Sequence, residues 1–471
     1  MKKFEHVINT IMKLIDSNVL KEGERIPSIR SMANQIGVST TTVTTAYNRL
    51  ESLGHIECRP QSGYYVSLKD NKNFDQIIPQ SETKRFSLKP NSVLMPKIVY
   101  RIIGQNQKED SIALGSGLPE LSFFPTEELG KHLSRFARDH NNDFNYLPSY
   151  RGQKEFLKMI VLRMMEAGCV IQENELFVTN GAIQALMLAL RTITKTGDVV
   201  AVESPGYYGF YFLLQFFNLK AIEIPSDPQI GIDINVLQTV LDDGLRPACV
   251  LLSSNYANPT GALMPETNRE ALIDICSKHN LPIIEDDTLG ELTFDSYRPR
   301  PLKALAPDLV LYISSFSKIL APGFRVGWLA GGRFFEDIIQ YYGMSVFKTP
   351  IVTQLALASY LKDGRLKKHL RRLRSQYKEN VDLIRNKVKT SFPQGTRISN
   401  PQGGQFLWVE LPSDYDAIEF YHAALNYGIS VAPGVLFSSQ HYHRNKIRLN
   451  CALKWNKEIE KAIERLGELL V

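Results

Sequence analysis

Apolar residues recur at helical spacing from the start of the chain: Phe4, Ile8, Ile11, Met12 and Ile15 share one face. Ile29, Met32, Ala33 and Ile36 mark a second such face, and Val43, Ala46, Tyr47 and Leu50 a third. Each segment is punctuated. Pro27-Ser28 opens the second helix, Gly37 ends it, Ser39 caps the third and Gly54 stops it. Two short β-like runs, at 55–58 and 64–66, flank the turn-forming stretch Arg59-Pro60-Gln61-Ser62-Gly63. Three helices and a hairpin with a basic tip predict a winged helix-turn-helix over 1–68.

Periodicity lapses over 69–108, which reads as a linker with one short helix near 93–103. Beyond it, strand-like runs at 175–178, 199–202, 221–224, 248–252, 281–284 and 309–313 alternate with helical stretches such as 184–193 and 266–279. That alternation predicts an α/β domain over 109–364, with a mostly parallel sheet covered by helices on both faces. The character changes at 365. A basic helix over 366–389 leads into strand-like runs at 406–410, 429–431 and 446–449 and a last helix, the pattern of a small α+β domain over 365–471.

Composition changes this picture little. With 471 residues, 44% hydrophobic and 22% charged, the chain is globular and too long for one core. Its net charge of +6 permits contact with nucleic acid without demanding it. Five scattered cysteines without a CxxC pair indicate neither a disulfide framework nor a metal site, and suit a reducing cytoplasm. Glu5, His6, Asn9 and Asp16 interrupt any signal-peptide core, and no apolar stretch is long enough to predict a membrane span.

In a helix-turn-helix the second helix presents its N-terminal residues to base edges in the major groove. Here those are Ser39, Thr40, Thr41 and Thr42, with Thr44, Thr45 and Asn48 on the next exposed turn. The hydroxyls can bond phosphates or bases and the threonine methyls can touch thymine, although such residues also serve simply to cap a helix. The segment resembles the GntR-type winged helix. The marks are Gly23-Glu24-Arg25-Ile26-Pro27-Ser28-Ile29-Arg30, the Gly37-Val38-Ser39 turn, Thr42-Val43 followed by Ala46-Tyr47, and the wing from Arg59 to Val66. The resemblance implies contacts with double-stranded operator DNA from Arg30, the start of the third helix, and the wing around Arg59 and Gly63. Thr40 departs from the arginine that many relatives carry there, so one DNA contact is lost or moved.

Open α/β sheets place their sites beyond the C-terminal ends of the strands. After 175–178 come Thr179-Asn180-Gly181-Ala182-Ile183, a small-residue turn into a helix whose free amides can hold a phosphate. After 199–202, Glu203-Ser204-Pro205-Gly206-Tyr207 brings an aromatic that can stack on a flat ring, or merely pack. After 248–252, Asn258 stands in an Asn-Pro-Thr-Gly turn with an amide to donate. After 281–284 stand Glu285, Asp286 and Asp287, costly to gather at the end of an apolar strand unless they meet a cation or a salt bridge. After 309–313 come Ser314-Ser315-Phe316-Ser317-Lys318, then Arg325; a lysine among apolar and small residues is easily desolvated and made nucleophilic. Five strand ends converge on one cofactor: phosphate cradle, ring stack, ring-oxygen donor, pyridine-nitrogen partner and Schiff-base lysine.

From about 113 onward the chain resembles the fold-type I, pyridoxal 5'-phosphate-dependent aminotransferases of class I and II. The resemblance implies Lys318 as the catalytic lysine, Asp286 as partner of the pyridine nitrogen and Asn258 of the ring oxygen. It implies Tyr207 as the stacking aromatic, and Ser315, Arg325 and the Ala182 and Ile183 amides as phosphate ligands. Tyr146 resembles the tyrosine that reaches the phosphate of a neighbouring subunit, and Arg448 the arginine that grips a substrate carboxylate. Leu289 stands where the family usually has a tyrosine on the ring oxygen, and leucine cannot donate that bond. The whole architecture resembles the MocR-type subfamily of GntR regulators. This implies a cytoplasmic, nucleoid-associated, head-to-tail homodimer that binds the cofactor on Lys318 and senses an amino-acid or amine effector, or the vitamin itself. The competing expectation is a working aminotransferase with an accessory DNA-binding domain.

Overall fold

A computed structural model of the chain describes every residue except 1–2, 17–18, 22, 53–55, 60–61, 67–85, 96, 106–111, 140–148, 150, 296, 346–347 and 471. It divides into two compact units, Met1–Asn73 and Phe74–Val471.

The first unit holds α1 (Lys3–Asp16), α2 (Ile29–Ile36), α3 (Thr40–Ser52) and the hairpin β1 (Ile56–Arg59) and β2 (Gly63–Val66). Its core is the three expected apolar faces turned inward: Val7, Ile11, Met32, Val43, Tyr47 and Leu50 are buried together with Ile56 and Val66. The punctuation expected around α2 and at the start of α3 is present as geometry, while Gly54 lies outside the described residues. Ser28 Oγ accepts from Ser31 N at the start of α2, and Gly37 ends that helix in the left-handed region at φ 71°. Ser39 Oγ accepts from Thr42 N (3.2 Å) at the start of α3. One feature escaped the periodicity. The stretch around Glu24–Ile26 pairs with β2, through Ile26 N to Tyr64 O (2.9 Å) and Val66 N to Glu24 O (2.8 Å), and so ties the wing to the entry of α2.

The second unit is built on one large sheet whose six anticipated runs are all strands: β4 (Leu176–Thr179), β5 (Val199–Ser204), β6 (Lys220–Asp227), β8 (Cys249–Leu252), β9 (Ile283–Asp286) and β10 (Val310–Ser315). β3 (Asn91–Ser92), β7 (Gly231–Ile232) and β11 (Gly327–Ala330) complete it. The order is β3-β6-β5-β8-β9-β10-β11-β4, with β7 on β6. Strands β6, β5, β8, β9 and β10 run parallel; β11 lies antiparallel to both β10 and β4, so β4 again points the same way as the parallel set. Six strand ends therefore open on one edge, where a site can form.

Alternation along these strands feeds two cores. Val200, Val202, Leu251 and Ile284 face α7 (Ala182–Ile193) and α8 (Tyr208–Phe216), while Ala201, Ile222, Val250 and Ile283 face α9 (Ile234–Asp242) and α10 (Glu266–Lys278). Burial on both faces explains why the runs read as continuously apolar. A third cluster packs α5 (Thr126–Asp139), α6 (Lys154–Glu166) and α12 (Ile351–Lys362) around Phe316 and Trp328. The helix expected near 93–103 is α4 (Lys97–Gln105), and α11 (Phe335–Ser345) follows β11. From α13 (Arg365–Ser391) the chain builds an antiparallel sheet, β12 (Arg397–Ile398), β13 (Phe406–Glu410), β15 (Lys446–Asn450) and β14 (Ala432–Pro433), flanked by α14 (Ala417–Leu425) and α15 (Lys457–Glu468). The run at 429–431 is corrected: the ladder forms one step later, at Ala432–Pro433, while Ile429 bridges Ile112 instead. No helix among the described residues is long and apolar enough to cross a membrane.

Candidate cofactor site and nucleic-acid face

A cavity of about 250 Å³ opens at the strand ends of the second unit. Ala182, Ile183, Tyr207, Asn258, Asp286, Ser315, Lys318, Arg325 and Arg448 all line it. Tyr146 falls at 140–148, outside the described residues.

Each lining group is set by local structure. Gly181 caps α7 with φ 86° and offers no side chain, so the first amides of the helix are left for a ligand. A Cβ at Gly181 would lie 2.6 Å from Arg325 Nη2, so glycine lets that guanidinium close over the helix start. Arg325 itself sits in the left-handed region at φ 51° and donates to Asn180 O (3.3 Å) and Ser317 Oγ (3.5 Å). Helix dipole, amides and guanidinium converge as a dianion requires.

The three adjacent acids have separate fates, because side chains alternate along β9. Glu285 points to one side and accepts from Ser254 Oγ (2.5 Å), Leu302 N (2.7 Å) and Lys303 N (3.0 Å). Asp287 is 1% exposed. It pairs with Arg298 and accepts from Asn255 Nδ2 and Tyr312 OH (both 2.8 Å). Asp286 alone lines the cavity, with Thr288 N donating to its Oδ1 (3.0 Å). Burial lifts the Asp286 carboxyl to about 6, against the Thr288 bonds that favour its ionised form. A buried carboxylate in that state is stabilised by a facing cation, which a protonated pyridine nitrogen supplies.

Lys318 is half-buried, and its Nζ donates to Gly117 O (2.5 Å). Burial pulls its amine down to about 8, helped by the positive charge of Arg448 and opposed by Asp286. Arg448, 1% exposed, crosses the cavity from β15. It donates to Asn258 Oδ1 (2.9 Å) and Gly115 O (2.7 Å) and lies over the rings of Phe406 (4.4 Å) and Phe437 (5.1 Å). The bond from Arg448 orients Asn258: its oxygen is taken, which leaves the NH₂ to donate into the cavity. Leu289 also lines the cavity, an apolar wall where a phenol could have donated.

Sequence reasoning missed one whole wall. Gly115, Ser116, Gly117 and Leu118, together with Ile103 of α4, Tyr208 and Leu436, line the same cavity. The first four lie in an irregular segment held by Ile112 N to Gly428 O (2.9 Å) and Asn450 N to Leu114 O (2.7 Å). No spacing announces such a segment.

In the first unit Arg30, Ser39, Thr40, Thr41 and Arg59 are exposed, with Thr42 and Gly63 half-buried. The hydroxyls divide. Thr44 and Thr45 bond back to Thr40 O and Thr41 O (2.9 Å each), and Ser39 and Thr42 bond each other (2.8 Å), which spends them on the helix. Thr40 and Thr41 stay at the surface of the first turn. Arg59 and Gly63 face each other as the last pair of the wing, with the Arg59 guanidinium 4.4 Å over the Tyr65 ring. Gly63, at φ 109°, lets Arg25 approach within 3.2 Å of where a Cβ would stand.

Residues 109–466 match the family profile of class I and II aminotransferases, and residues 3–66 that of bacterial regulatory proteins of the gntR family. Two HTH-type transcriptional regulators of Escherichia coli, both described as uncharacterized, align end to end. YjiR is 32% identical over 99% of this chain and 98% of its own, and YdcR is 34% identical over 100% and 99%. Among solved structures, LysN, the α-aminoadipate aminotransferase of Thermus thermophilus complexed with N-(5'-phosphopyridoxyl)-L-leucine, superposes with a TM-score of 0.72. It is 26% identical, and the match covers 79% of this chain and 96% of that one.

Proposed function

The chain belongs to the class I and II aminotransferases, joined to a gntR-family helix-turn-helix in the MocR-type arrangement, and we propose that this transcription regulator binds pyridoxal 5'-phosphate on Lys318 and senses an amino compound or the vitamin itself. One observation carries the reading: an amine at about 8, a buried carboxyl at about 6, an oriented amide and a bare helix start line a single cavity. These residues fit the cofactor. Bound there, it supplies an aldehyde that condenses with amines and a ring that draws electrons from them. The α7 amides, Ser315 and Arg325 hold the phosphate; Tyr207 covers the ring; Asp286 keeps a proton on the ring nitrogen. Asn258 donates to the ring oxygen, a task that Leu289 leaves to it. Arg448 grips the carboxylate of an amino-acid effector with a planar fork.

An effector amine that takes the place of Lys318 also engages Arg448, and so draws the small sheet carrying β15 towards the strand ends. That movement alters the hold on operator DNA if the two states bind the effector unequally. The DNA face is Arg30, Ser39, Thr40, Thr41, Thr42, Arg59 and Gly63. The working form is a cytoplasmic head-to-tail homodimer in which Tyr146 reaches the neighbour's phosphate. A second reading, a working aminotransferase, draws on the same lysine; Leu289 favours the sensor, because one of the usual donors to the ring oxygen is gone.

A spectral titration of the cofactor-loaded protein with amino acids and amines separates the readings. The parent shows a violet absorbance band that a recognised amine shifts, and Lys318→Ala lacks it. A parent without the band overturns the proposal. Sustained keto-acid production with the best amine moves the function to the second reading.

A further inference from the structure

The basic helix α13 is not used by the cofactor site or by the helix-turn-helix. Residues 365–378 hold seven of the chain's 55 Lys and Arg and no Asp or Glu, so without this stretch a chain of net charge +6 would be close to neutral. The buried side is ordinary: Leu366, His369, Leu370, Leu373 and Tyr377 face the core. The flank beside it is not. Lys367, Arg371, Arg374 and Lys378 follow one another at i, i+4, i+7 and i+11, a stripe roughly 16 Å long that lines an open groove. Lys368 and Arg372 broaden it, exposed one turn apart.

Fold stability does not select this pattern. The first turn of α13 has no acidic residue and carries Arg365, Lys367 and Lys368 at the positive end of the helix dipole. Lys367 with Arg371, Lys368 with Arg372, and Arg374 with Lys378 are like charges at i, i+4, which oppose helix formation. Part of the charge is internal, since Arg374 pairs with Glu291 (3.3 Å) and Lys367 with Glu166 (2.8 Å). Lys368, Arg371 and Arg372 have no ion-pair partner among the described residues.

We propose that the exposed basic face of α13 is a second DNA-binding surface, which takes the phosphate backbone of duplex flanking the site read by the helix-turn-helix. It rests on the assignment of the chain as a DNA-binding regulator. Over the length of the stripe duplex DNA presents about five phosphates per strand, a repeat that a row of basic side chains one turn apart can follow. The contact carries no base information. It adds affinity, salt dependence and a preference for long duplexes.

The test uses the full chain and a mixed-sequence duplex of about 80 base pairs, with binding measured against salt concentration. Lys368→Gln/Arg371→Gln/Arg372→Gln should weaken binding about tenfold or more and reduce the slope of log K against log salt by nearly three. A control, Lys454→Gln/Lys457→Gln/Lys461→Gln, removes the same charge from an exposed stretch at and before α15 and should change neither by more than a small fraction. Thermal unfolding equal to the parent's shows that each variant is folded. Equal losses in both triple variants, or none in the α13 variant, overturn the proposal. An α13 variant without effect beside a strong loss in Arg30→Ala/Arg59→Ala leaves the regulator reading intact and assigns the patch to an acidic protein surface or to solvent. Loss in neither would reject the docking face of the helix-turn-helix as well.

Discussion

At the scale of single residues, the cavity turns on two displaced titrations. Lys318 is pulled to about 8 by burial and by Arg448, so below that pH most of its amine is protonated and cannot attack an aldehyde. The rate at which the cofactor-free protein captures pyridoxal phosphate should rise about tenfold per pH unit up to roughly 8 and then level off. A free lysine side chain, with its ordinary value near 10.4, should keep rising through that range and serves as the reference. Stopped-flow absorbance measures both, and a protein profile parallel to the free amine's would show that Lys318 is not desolvated. That Lys318 would line the cavity was legible less from its own neighbours than from five successive strand ends that all pointed to one site. Its partner Gly117, whose carbonyl accepts a hydrogen bond from Nζ, was not legible, because the segment that carries it has no period and is held by distant backbone bonds to Gly428 and Asn450. The recognition helix shows the same division. Its threonines were readable as a polar face, but only geometry separates Thr44 and Thr45, spent on backbone carbonyls, from Thr40 and Thr41, which remain at the surface.

At the scale of elements, β9 shows how one strand serves structure and chemistry at once. Sequence alone left the acids 285–287 between a cofactor role and salt bridges; alternation separates them, with Asp286 in the cavity and its neighbours tied into the core. The two aspartates should therefore respond in opposite ways to alanine. Asp287→Ala leaves buried Arg298 with its more distant acid, Glu291 (3.4 Å), and strips the acceptor from Asn255 and Tyr312, so it should destabilise the second unit by about 3 kcal/mol. Asp286→Ala removes a carboxyl whose charge burial disfavours, so folding should be nearly unaffected while cofactor retention falls at least tenfold. Denaturant unfolding of the cofactor-free protein and equilibrium dialysis of the cofactor distinguish the two losses. Equal destabilisation by both would mean that Asp286 too is a structural acid. The parallel strands were readable from their apolar runs. β11 was not, since its four residues, directly after the Arg325 turn, make too short an apolar run to stand out.

At the scale of the molecule, the question is how an event at Lys318 reaches DNA. The stretch that leads back towards the helix-turn-helix is held within the second unit at several places, the pairing of β3 with β6 among them. Ser87 N donates to Tyr442 OH (2.9 Å), with the Phe86 ring 4.5 Å from that of Tyr442, and further on α4 presents Ile103 to the cavity wall. Tyr442 lies five residues beyond Phe437, whose ring packs against the Arg448 guanidinium (5.1 Å). A carboxylate bound by Arg448, as proposed above, would therefore act on a neighbourhood to which the connecting stretch is anchored. Coupling between two sites is a free energy, and an effector that loosens DNA binding by some factor must itself bind more weakly by that factor when DNA is present. For a protein of this kind the factor should fall within about 5 to 150. Tyr442→Phe deletes the hydroxyl that holds Ser87, and Ile103→Ala retracts the α4 side chain from the cavity. Each should leave the violet band and DNA affinity without effector close to the parent's, yet shrink the factor towards one. Titrations of effector with and without DNA, paired with titrations of DNA with and without effector, measure it from both sides. A factor preserved in both variants would place the coupling route elsewhere than in the anchored stretch at 86–105.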